Sequence, residues 1–191
     1  MAAVPASAAR PGRLNDWSSV WAVVAVTLLA LLAGWVVRSA VENRSRLVEG
    51  SEVTAAVPAG WMVQEGFDEL RLVTWNAPVP EERYSVSVLP EAGAPIDAAA
   101  ERNRRRAQLL GTYRLLEEMP VVIDGRDGYR VGFAYVPTGR PGLPTVVQGV
   151  DYYYQEDGAV TVVSLEAPQD RFTRALPRFL RFLASVEVGG S

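Results

Sequence analysis

The sequence predicts an α+β domain, a mainly antiparallel sheet flanked by helices, preceded by one N-terminal transmembrane helix. Three observations lead to this prediction. An uncharged, largely apolar stretch runs from Trp17 to Val37. Beyond it, segments of alternating apolar and polar residues are separated by Gly, Pro and Asp-Gly turns, which is typical of strands. Two other segments, 97–110 and 170–185, have the residue spacing of helices that pack on a sheet.

The first element, 17–37, has the length of a membrane span. At 1.5 Å per residue it would cover about 31 Å, the thickness of the hydrocarbon core of a bilayer. A cleaved signal peptide is the alternative, but its apolar core is shorter, and the small-residue motif that should follow it contains an arginine in 38–40. We therefore expect a retained single-pass anchor in the lipid bilayer. Residues suited to its two interfaces are Trp17, Trp21, Trp35 and Arg38.

The anchor sets the predicted domain organisation. Arginines flank it on both sides in nearly equal number, so charge alone leaves the side of the membrane open. The part that follows the anchor has the usual size of one domain. We expect a disordered N-terminal tail at 1–16, the transmembrane helix at 17–37, a stalk at 38–50, a globular domain at 51–188 and a short tail at 189–191.

Seven strands are predicted from the alternation of apolar and polar residues. Asp124-Gly125 and Asp157-Gly158 are strong hairpin signals between pairs of them. The last strand is apolar on both faces, which implies that both faces of the sheet are covered. The predicted strands are 52–57, 68–75, 83–89, 112–123, 129–136, 145–155 and 159–165.

Two helices complete the domain. The first is predicted from Asp97, as its N-cap, to Leu110, with Gly111 closing it. Its inward face is expected to consist of Ile96, Ala99, Ala100, Asn103, Ala107 and Leu110. The second, 170–185, should kink at Pro177. Its apolar face is Phe172, Leu176, Phe179, Leu180 and Leu183, and its opposite face carries Arg171, Arg174, Arg178 and Arg181.

The composition excludes many chemistries. The sequence contains no cysteine and no histidine, and all nineteen basic residues are arginine. Thiol nucleophiles, histidine bases, Schiff-base lysines and the usual transition-metal ligands are therefore missing. The net charge is −3, and acidic residues outnumber arginines in the domain, which makes nucleic acid an unsuitable partner. We expect no enzyme activity, no catalytic residues, no cofactor and no metal site.

Several segments resemble the PsbP-like family. The stretch 57–61 is similar to the P-x-G-W that ends the first strand of that family, and 124–135 resembles its turn and central strand. The tyrosines 152–154, the 157–158 hairpin and the closing helix extend the similarity over 52–188. The resemblance implies an α/β/α sandwich. It also implies a role like that of family members that bind other proteins or membrane complexes, as the extrinsic photosystem subunit does, while some members are cell-envelope proteins of unknown role.

Four surface features are candidate sites. The arginine stripe of the last helix, Arg171, Arg174, Arg178 and Arg181, has a solvated helix face as its default interpretation, and docking onto an acidic partner or lipid headgroups as its functional one. A second run is expected to be solvated charge: Arg102, Arg104, Arg105 and Arg106. A set of acidic residues could offer oxygen ligands to calcium, but turns explain them better: Asp124, Asp127, Asp151, Glu156 and Asp157. One aromatic set is expected to belong to the core or to a half-exposed sheet face, and its hydroxyls leave open a small apolar cleft with polar tips: Tyr129, Phe133, Tyr135, Tyr152 and Tyr154.

Two functions follow from these features. The first is a membrane-anchored, non-enzymatic PsbP-like protein that binds or stabilises a membrane protein complex, as an accessory subunit or assembly factor. Its globular domain is expected on the extracytoplasmic side of the cell membrane, in contact with other subunits of the complex. The alternative is a membrane-tethered small-ligand or lipid-binding module of the cell envelope. A deep apolar pocket would favour that alternative, and a solidly packed sheet face would argue against it.

Overall fold

The computed structural model describes residues 15–42, 44–50, 52–76, 82–138 and 144–189, without the side chains of 15–19 and 38–42. The chain divides into two compact units, Met1–Glu42 and Asn43–Ser191, which we describe separately. Most of the predicted N-terminal tail, 1–14, and the last two residues of the predicted C-terminal tail lie outside the described residues.

The described part of the first unit, from residue 15, is one helix, α1, Asn15–Glu42. Within it, Val20–Val37 is long and apolar enough to cross a membrane, and none of its residues is buried. A core helix of a soluble protein would bury one face, so this exposure agrees with the predicted span. Trp21 and Trp35 are 62% and 66% exposed. The side chains of Trp17 and Arg38 lie outside the described part.

The described residues of the second unit form ten strands and two helices. The strands are β1 Ser45–Glu49, β2 Val53–Pro58, β3 Trp61–Glu65, β4 Leu70–Asn76, β5 Arg83–Leu89, β6 Arg114–Ile123, β7 Arg126–Tyr135, β8 Val147–Glu156, β9 Ala159–Pro168 and β10 Glu187–Val188. The helices are α2 Pro95–Leu109 and α3 Gln169–Leu183.

All described strand pairs are antiparallel. Seven strands form one sheet in the order β3-β4-β5-β9-β8-β7-β6, and three form a second in the order β1-β2-β10. Val162 packs in a cluster with Ala98 and Ala99 of α2, whereas its neighbour Val163 packs in a cluster with Phe179 of α3. Because neighbouring residues of a strand point to opposite faces, the two helices cover opposite faces of the large sheet. The predicted α+β class, with helices flanking a mainly antiparallel sheet, is confirmed.

Three strands lie in segments where no strand was predicted. The predicted stalk, 38–50, contains the end of α1 and the strand β1, which pairs with β2 from Ser45↔Pro58 to Glu49↔Thr54. The stalk prediction is therefore wrong for 45–49, because this short, mostly exposed segment is held as a strand by backbone pairing with β2, which its own side chains do not specify. The strands β3 and β10 were also missed, and β10 has only two residues.

The hairpin turns follow the sequence signals. Asp124-Gly125 has φ values of 49° and 78°, and Asp157-Gly158 has φ values of 49° and 81°. Two successive positive φ angles define the turn that matches the twist of antiparallel strands, and glycine adopts them without steric cost. These turns connect β6 to β7 and β8 to β9, and they fix the register within each of these two hairpins.

The two helices depart from prediction at their ends and faces. Helix α2 begins at Pro95 after Ala94, so Asp97 lies in the first turn and is not the N-cap. In α3 the buried residues are Phe172, Ala175, Phe179, Phe182 and Leu183, whereas Leu180 is 41% exposed. The helix runs without a break through Pro177, where a kink was expected.

The sheet face under α3 is solidly packed around Tyr84. The ring of this fully buried tyrosine lies 4.6 Å from that of Trp61, 5.2 Å from Phe179 and 5.1 Å from Phe182, measured between centroids. Interlocked aromatic rings at these distances form the main hydrophobic core. Among the described residues, the rings around Tyr84 fill this part of the face, and the two clefts described below border α2 on the other side.

Candidate functional site

The α2 side of the sheet contains a buried carboxylate, that of Asp151. This residue lies in the middle of β8 and is 0% exposed. It shares a sheet face with Tyr153, two residues further along the strand, and it is paired in register with Ser164 of β9. A carboxylate buried alone would be strongly unfavourable, so its partners decide whether this arrangement is stable.

Two arginines of α2 and one tyrosine surround the Asp151 carboxylate. Arg106 donates from Nη1 to Oδ2 at 2.5 Å and from Nη2 to Oδ1 at 3.3 Å. The Nε atom of Arg102 lies 3.6 Å from Oδ2, and the Tyr153 hydroxyl donates to Oδ2 at 2.9 Å. We call these four residues the Asp151 cluster. The bidentate contact between Arg106 and Asp151 holds α2 against the sheet by charge, in addition to apolar packing.

The pKa values of the cluster move apart. Burial acts to raise the pKa of Asp151, but the guanidinium groups of Arg106 and Arg102 outweigh it and hold that pKa below its usual value. Burial acts to lower the pKa of Arg106, but Asp151 outweighs it and raises that pKa. Burial and the nearby Asp151 charge raise the pKa of Tyr153. Near neutral pH, Asp151 and Arg106 therefore form an ion pair beside a neutral Tyr153, and none of these three groups is poised to exchange protons.

Aromatic packing completes the environment of Arg106. Its guanidinium carbon lies 3.9 Å from the ring centroid of Phe133, which is fully buried, and its Nη2 lies 4.0 Å from Oε1 of Glu166. Gly149 on β8 makes room for that ring, because a Cβ atom there would lie 2.2 Å from Cζ of Phe133. The glycine is thus required by close approach, and it allows the arginine to stack on the ring.

The Asp151 cluster corrects the prediction for the arginine run. Arg102 and Arg106, four residues apart, face the sheet, whereas Arg104 and Arg105 are exposed. Expecting solvated charge was therefore wrong for two of the four residues. The inward face of α2 was also partly wrong, since Ile96 is exposed. The signal that could have found the cluster is Asp151 itself, a charge inside an otherwise apolar and aromatic strand that needs cationic partners four residues apart on a helix.

Two clefts border α2, and both are lined in part by Arg102 and Arg105. We call the smaller the arginine cleft. It has a volume of about 330 Å³ and is lined by Arg83, Arg102, Arg105, Arg106, Leu109, Leu110, Tyr135 and Glu166. The larger, which we call the acidic cleft, has a volume of about 550 Å³ and is lined by Glu69, Leu89, Pro90, Glu91, Ala92, Gly93, Asp97, Ala98, Glu101, Arg102 and Arg105.

The predicted docking stripe of α3 lies largely on the surface. Arg171, Arg174 and Arg181 are exposed. Arg178 is half-buried, donates from Nη2 to Oε2 of Glu82 at 3.1 Å, and lies 5.8 Å from the Trp61 ring. Three of the four predicted side chains are therefore positioned on one outer face, and the fourth also connects α3 to the residue that precedes β5.

The remaining sequence candidates do not converge on one site. Among the described residues, no group of three or more Asp and Glu side chains could hold a metal ion. The aromatic set is divided between the two faces. Phe133 and Tyr135 stack near α2, with centroids 6.4 Å apart, while Tyr152 packs against Phe179 at 6.0 Å and Tyr154 belongs to the core under α3. These rings are core or half-buried sheet residues, as expected, but they do not line one shared cleft, because Tyr153 pairs with Tyr129 on the α2 side and its neighbours Tyr152 and Tyr154 point to the other face.

Comparison with known proteins identifies the fold. No family model matches the sequence, and no curated protein matches it. The solution structure of cyanobacterial PsbP (CyanoP) from Synechocystis sp. PCC 6803 matches with a TM-score of 0.53 and 15% identity over 76% of this chain and 94% of that chain. The Saccharomyces cerevisiae Ran-binding protein Mog1p matches with a TM-score of 0.54 and 16% identity over 75% and 95%. The predicted PsbP-like fold is confirmed.

Proposed function

We propose that this chain is a membrane-anchored, non-enzymatic protein whose PsbP-like domain, on the extracytoplasmic side, binds or stabilises a membrane protein complex as an accessory subunit or assembly factor. The observation that carries the proposal is the apolar Val20–Val37 segment, none of whose residues is buried. Such a surface is stable in lipid and unfavourable in water. A protein held at a membrane in this way meets its partners there.

The chemistry of the α2 side supports a binding role over a catalytic one. The sequence has no histidine, cysteine or lysine. The buried carboxylate of Asp151 is neutralised by Arg106, and the directions of the pKa shifts keep both groups charged. General acid–base catalysis needs a group with a pKa near the working pH, and the pKa values of Asp151 and Arg106 are shifted away from that range. The cluster instead makes α2 a rigid part of a scaffold.

The stripe of α3 is the surface we propose for docking. Arg171, Arg174 and Arg181 are exposed on a helix whose other face is anchored by buried phenylalanines. Guanidinium groups bind carboxylates through paired hydrogen bonds, so an acidic surface of a membrane protein is a suitable partner. A solved structure with the same fold is that of a Ran-binding protein, which supports protein binding by a surface of this fold.

Affinity purification from native membranes tests the proposal. The full chain, tagged at its C-terminus and solubilised in mild detergent, should co-purify with a membrane protein at constant stoichiometry. The triple variant Arg171→Gln, Arg174→Gln, Arg181→Gln should lose that partner, because three cationic contacts with it are removed. A matched variant, Arg46→Gln, Arg104→Gln, Arg114→Gln, removes the same charge from exposed positions elsewhere and should keep it.

Two results would contradict this proposal. If the wild-type chain is recovered as a free monomer in every mild detergent, it has no stable partner in the membrane. If the two triple variants retain the co-purifying protein equally, the stripe is not the docking surface. Circular dichroism of both variants should match the wild type, which separates lost docking from lost folding.

A second candidate function is supported by the acidic cleft. Its volume of about 550 Å³ is in the range of small-molecule sites, and Leu89, Pro90 and Ala92 give it an apolar wall. This arrangement fits a membrane-tethered small-ligand or lipid-binding module. Mass spectrometry of solvent extracts from the purified full chain should then reveal a retained small molecule that is absent from an Ala92→Trp variant. Identical extracts from the two proteins would end this candidate.

A further inference from the structure

The arginine cleft contains more positive charge than its own carboxylates compensate. Four guanidinium groups line it, from Arg83, Arg102, Arg105 and Arg106. The carboxylates in contact with them are those of Asp151, beneath the cleft, and Glu166, on its wall. The excess is local, because the protein as a whole has a net charge of −3. A cationic cleft in an acidic protein concentrates field lines and draws anions to it.

The existing contacts separate fixed arginines from available ones. Arg106 is held by Asp151 at 2.5 Å and is only 13% exposed, so it contributes charge from a fixed position. Arg83 donates to Glu166 at 2.8 Å but is 50% exposed, so the remaining N–H groups of its guanidinium can bind a second anion. Arg105 is exposed and has no carboxylate within 4.0 Å among the described residues. Arg105 is therefore the guanidinium with the most unused binding capacity.

The rest of the wall limits the kind of anion. The volume, about 330 Å³, suits a small group and excludes a folded nucleic acid or protein segment. Leu109 is 76% exposed at the rim, and Leu110 lines the cleft beside it. The Tyr135 hydroxyl donates to Glu166 at 3.0 Å and keeps that carboxylate turned toward Arg83. The cleft thus combines a cationic floor with a small apolar rim.

We propose that the arginine cleft is a binding site for a small amphiphilic anion, one phosphate or carboxylate group attached to a short apolar chain. The anionic group lies between Arg105 and Arg83, above the fixed charge of Arg106. The apolar chain covers Leu109. This site is distinct from the α3 stripe, so it stands or falls independently of the docking function. The same chemistry is offered by a free alkyl phosphate and by the headgroup of an anionic lipid.

Calorimetric titration of the full chain in nanodiscs tests this site. With phosphatidylcholine discs at constant ionic strength, hexyl phosphate should bind saturably, and more tightly than inorganic phosphate because its chain covers Leu109. Arg105→Gln should weaken hexyl phosphate binding about tenfold, since a charge-assisted contact is lost. Arg104→Gln is the matched control, because Arg104 is next in sequence, exposed, and paired with Glu101 at 2.5 Å. It should change the affinity less than about twofold.

The outcomes divide clearly. Absence of saturable binding at millimolar hexyl phosphate would overturn the proposal, and so would equal weakening by the two variants. Discs that contain phosphatidic acid identify the source of the ligand. If they reduce the apparent affinity for hexyl phosphate, the headgroup competes for the site. If these discs leave the affinity for hexyl phosphate unchanged, the site binds a free anion and not the headgroup. Either result supports the proposed site.

Discussion

Replacing Asp151 with asparagine is the sharpest test of the buried cluster. The change removes the negative charge and leaves the shape of the side chain nearly intact. Arg106, 13% exposed, then has no ionic partner at 2.5 Å and remains charged in a mostly buried position. Breaking a buried pair in this way costs about 3–5 kcal/mol.

The structure places the expected loss at the lower end of that range. Arg106 keeps its stacking on Phe133 at 3.9 Å and its distant contact with Glu166 at 4.0 Å. Both compensate part of the lost attraction. We therefore expect a destabilisation of about 3 kcal/mol, which corresponds to a fall in the melting temperature of about 6–12 °C for a domain of this size.

Urea and thermal unfolding of the full chain in detergent, followed by circular dichroism of the sheet, measure this loss. Glu101→Gln is the matched control, because it breaks an exposed pair with Arg104 whose side chains are 66% and 57% exposed. It should cost less than about 0.5 kcal/mol. An unsatisfied buried polar group costs at least about 1 kcal/mol. If the free energy of unfolding lost by Asp151→Asn is within about 1 kcal/mol of that lost by the control, the buried ion pair does not stabilise the domain as we expect.

A double variant separates charge from packing. Asp151→Leu combined with Arg106→Met removes both charges and keeps side chains of similar length. Replacing a buried pair with apolar residues is often neutral, so the double variant should recover most of the stability lost by Asp151→Asn. A double variant as unstable as the single one would show that the shape of the pair matters more than its charge.

Three further predictions follow from the same contacts. The stability difference between the wild type and Asp151→Asn should be constant from about pH 8 to 5 and shrink below about pH 4, measured by urea unfolding. The folded-state pKa of Asp151 is depressed, so its contribution is present above the unfolded value of about 3.9 and is lost as the pH falls through the folded pKa. Gly149→Ala should cost about 1–3 kcal/mol by overpacking Phe133, whereas Gly111→Ala, which has open space, should stay within about 0.5 kcal/mol by thermal unfolding. Leu29→Arg, in the exposed apolar helix, should reduce membrane insertion by about 2.5–3.5 kcal/mol, seen as protein released by alkaline carbonate extraction, and unchanged extraction would argue against a membrane span.

The large elements of the fold were predictable because their signals are local. The hairpins at Asp124-Gly125 and Asp157-Gly158 have positive φ angles that the sequence encodes directly. The amphipathic pattern of α3 is equally local, and it correctly predicted that Phe172 and Phe179 are buried, although it missed Phe182. The strands β1 and β10 were missed because they are held mainly by pairing with β2, a contact that neither segment's own residues specify.

The site was less predictable for a related reason. The arginine run of α2 lies around most of a helical wheel, and nothing local says which members face the sheet. Asp151 decides it, from a strand 45 residues away in the sequence, by pairing with Arg106. A helix with a weak apolar face can thus be oriented by an ion pair. The spacing of its apolar residues, from which the buried face is predicted, is then overridden.

Site-specific photo-cross-linking in native membranes tests the proposed docking most directly. A photoreactive residue at position 174, on the α3 stripe, should form a discrete adduct with a membrane protein, because Arg174 is exposed on that face. The same residue at position 104, on the outer side of α2, should form none. Absence of an adduct at 174, or equal adducts at 174 and 104, would contradict the account.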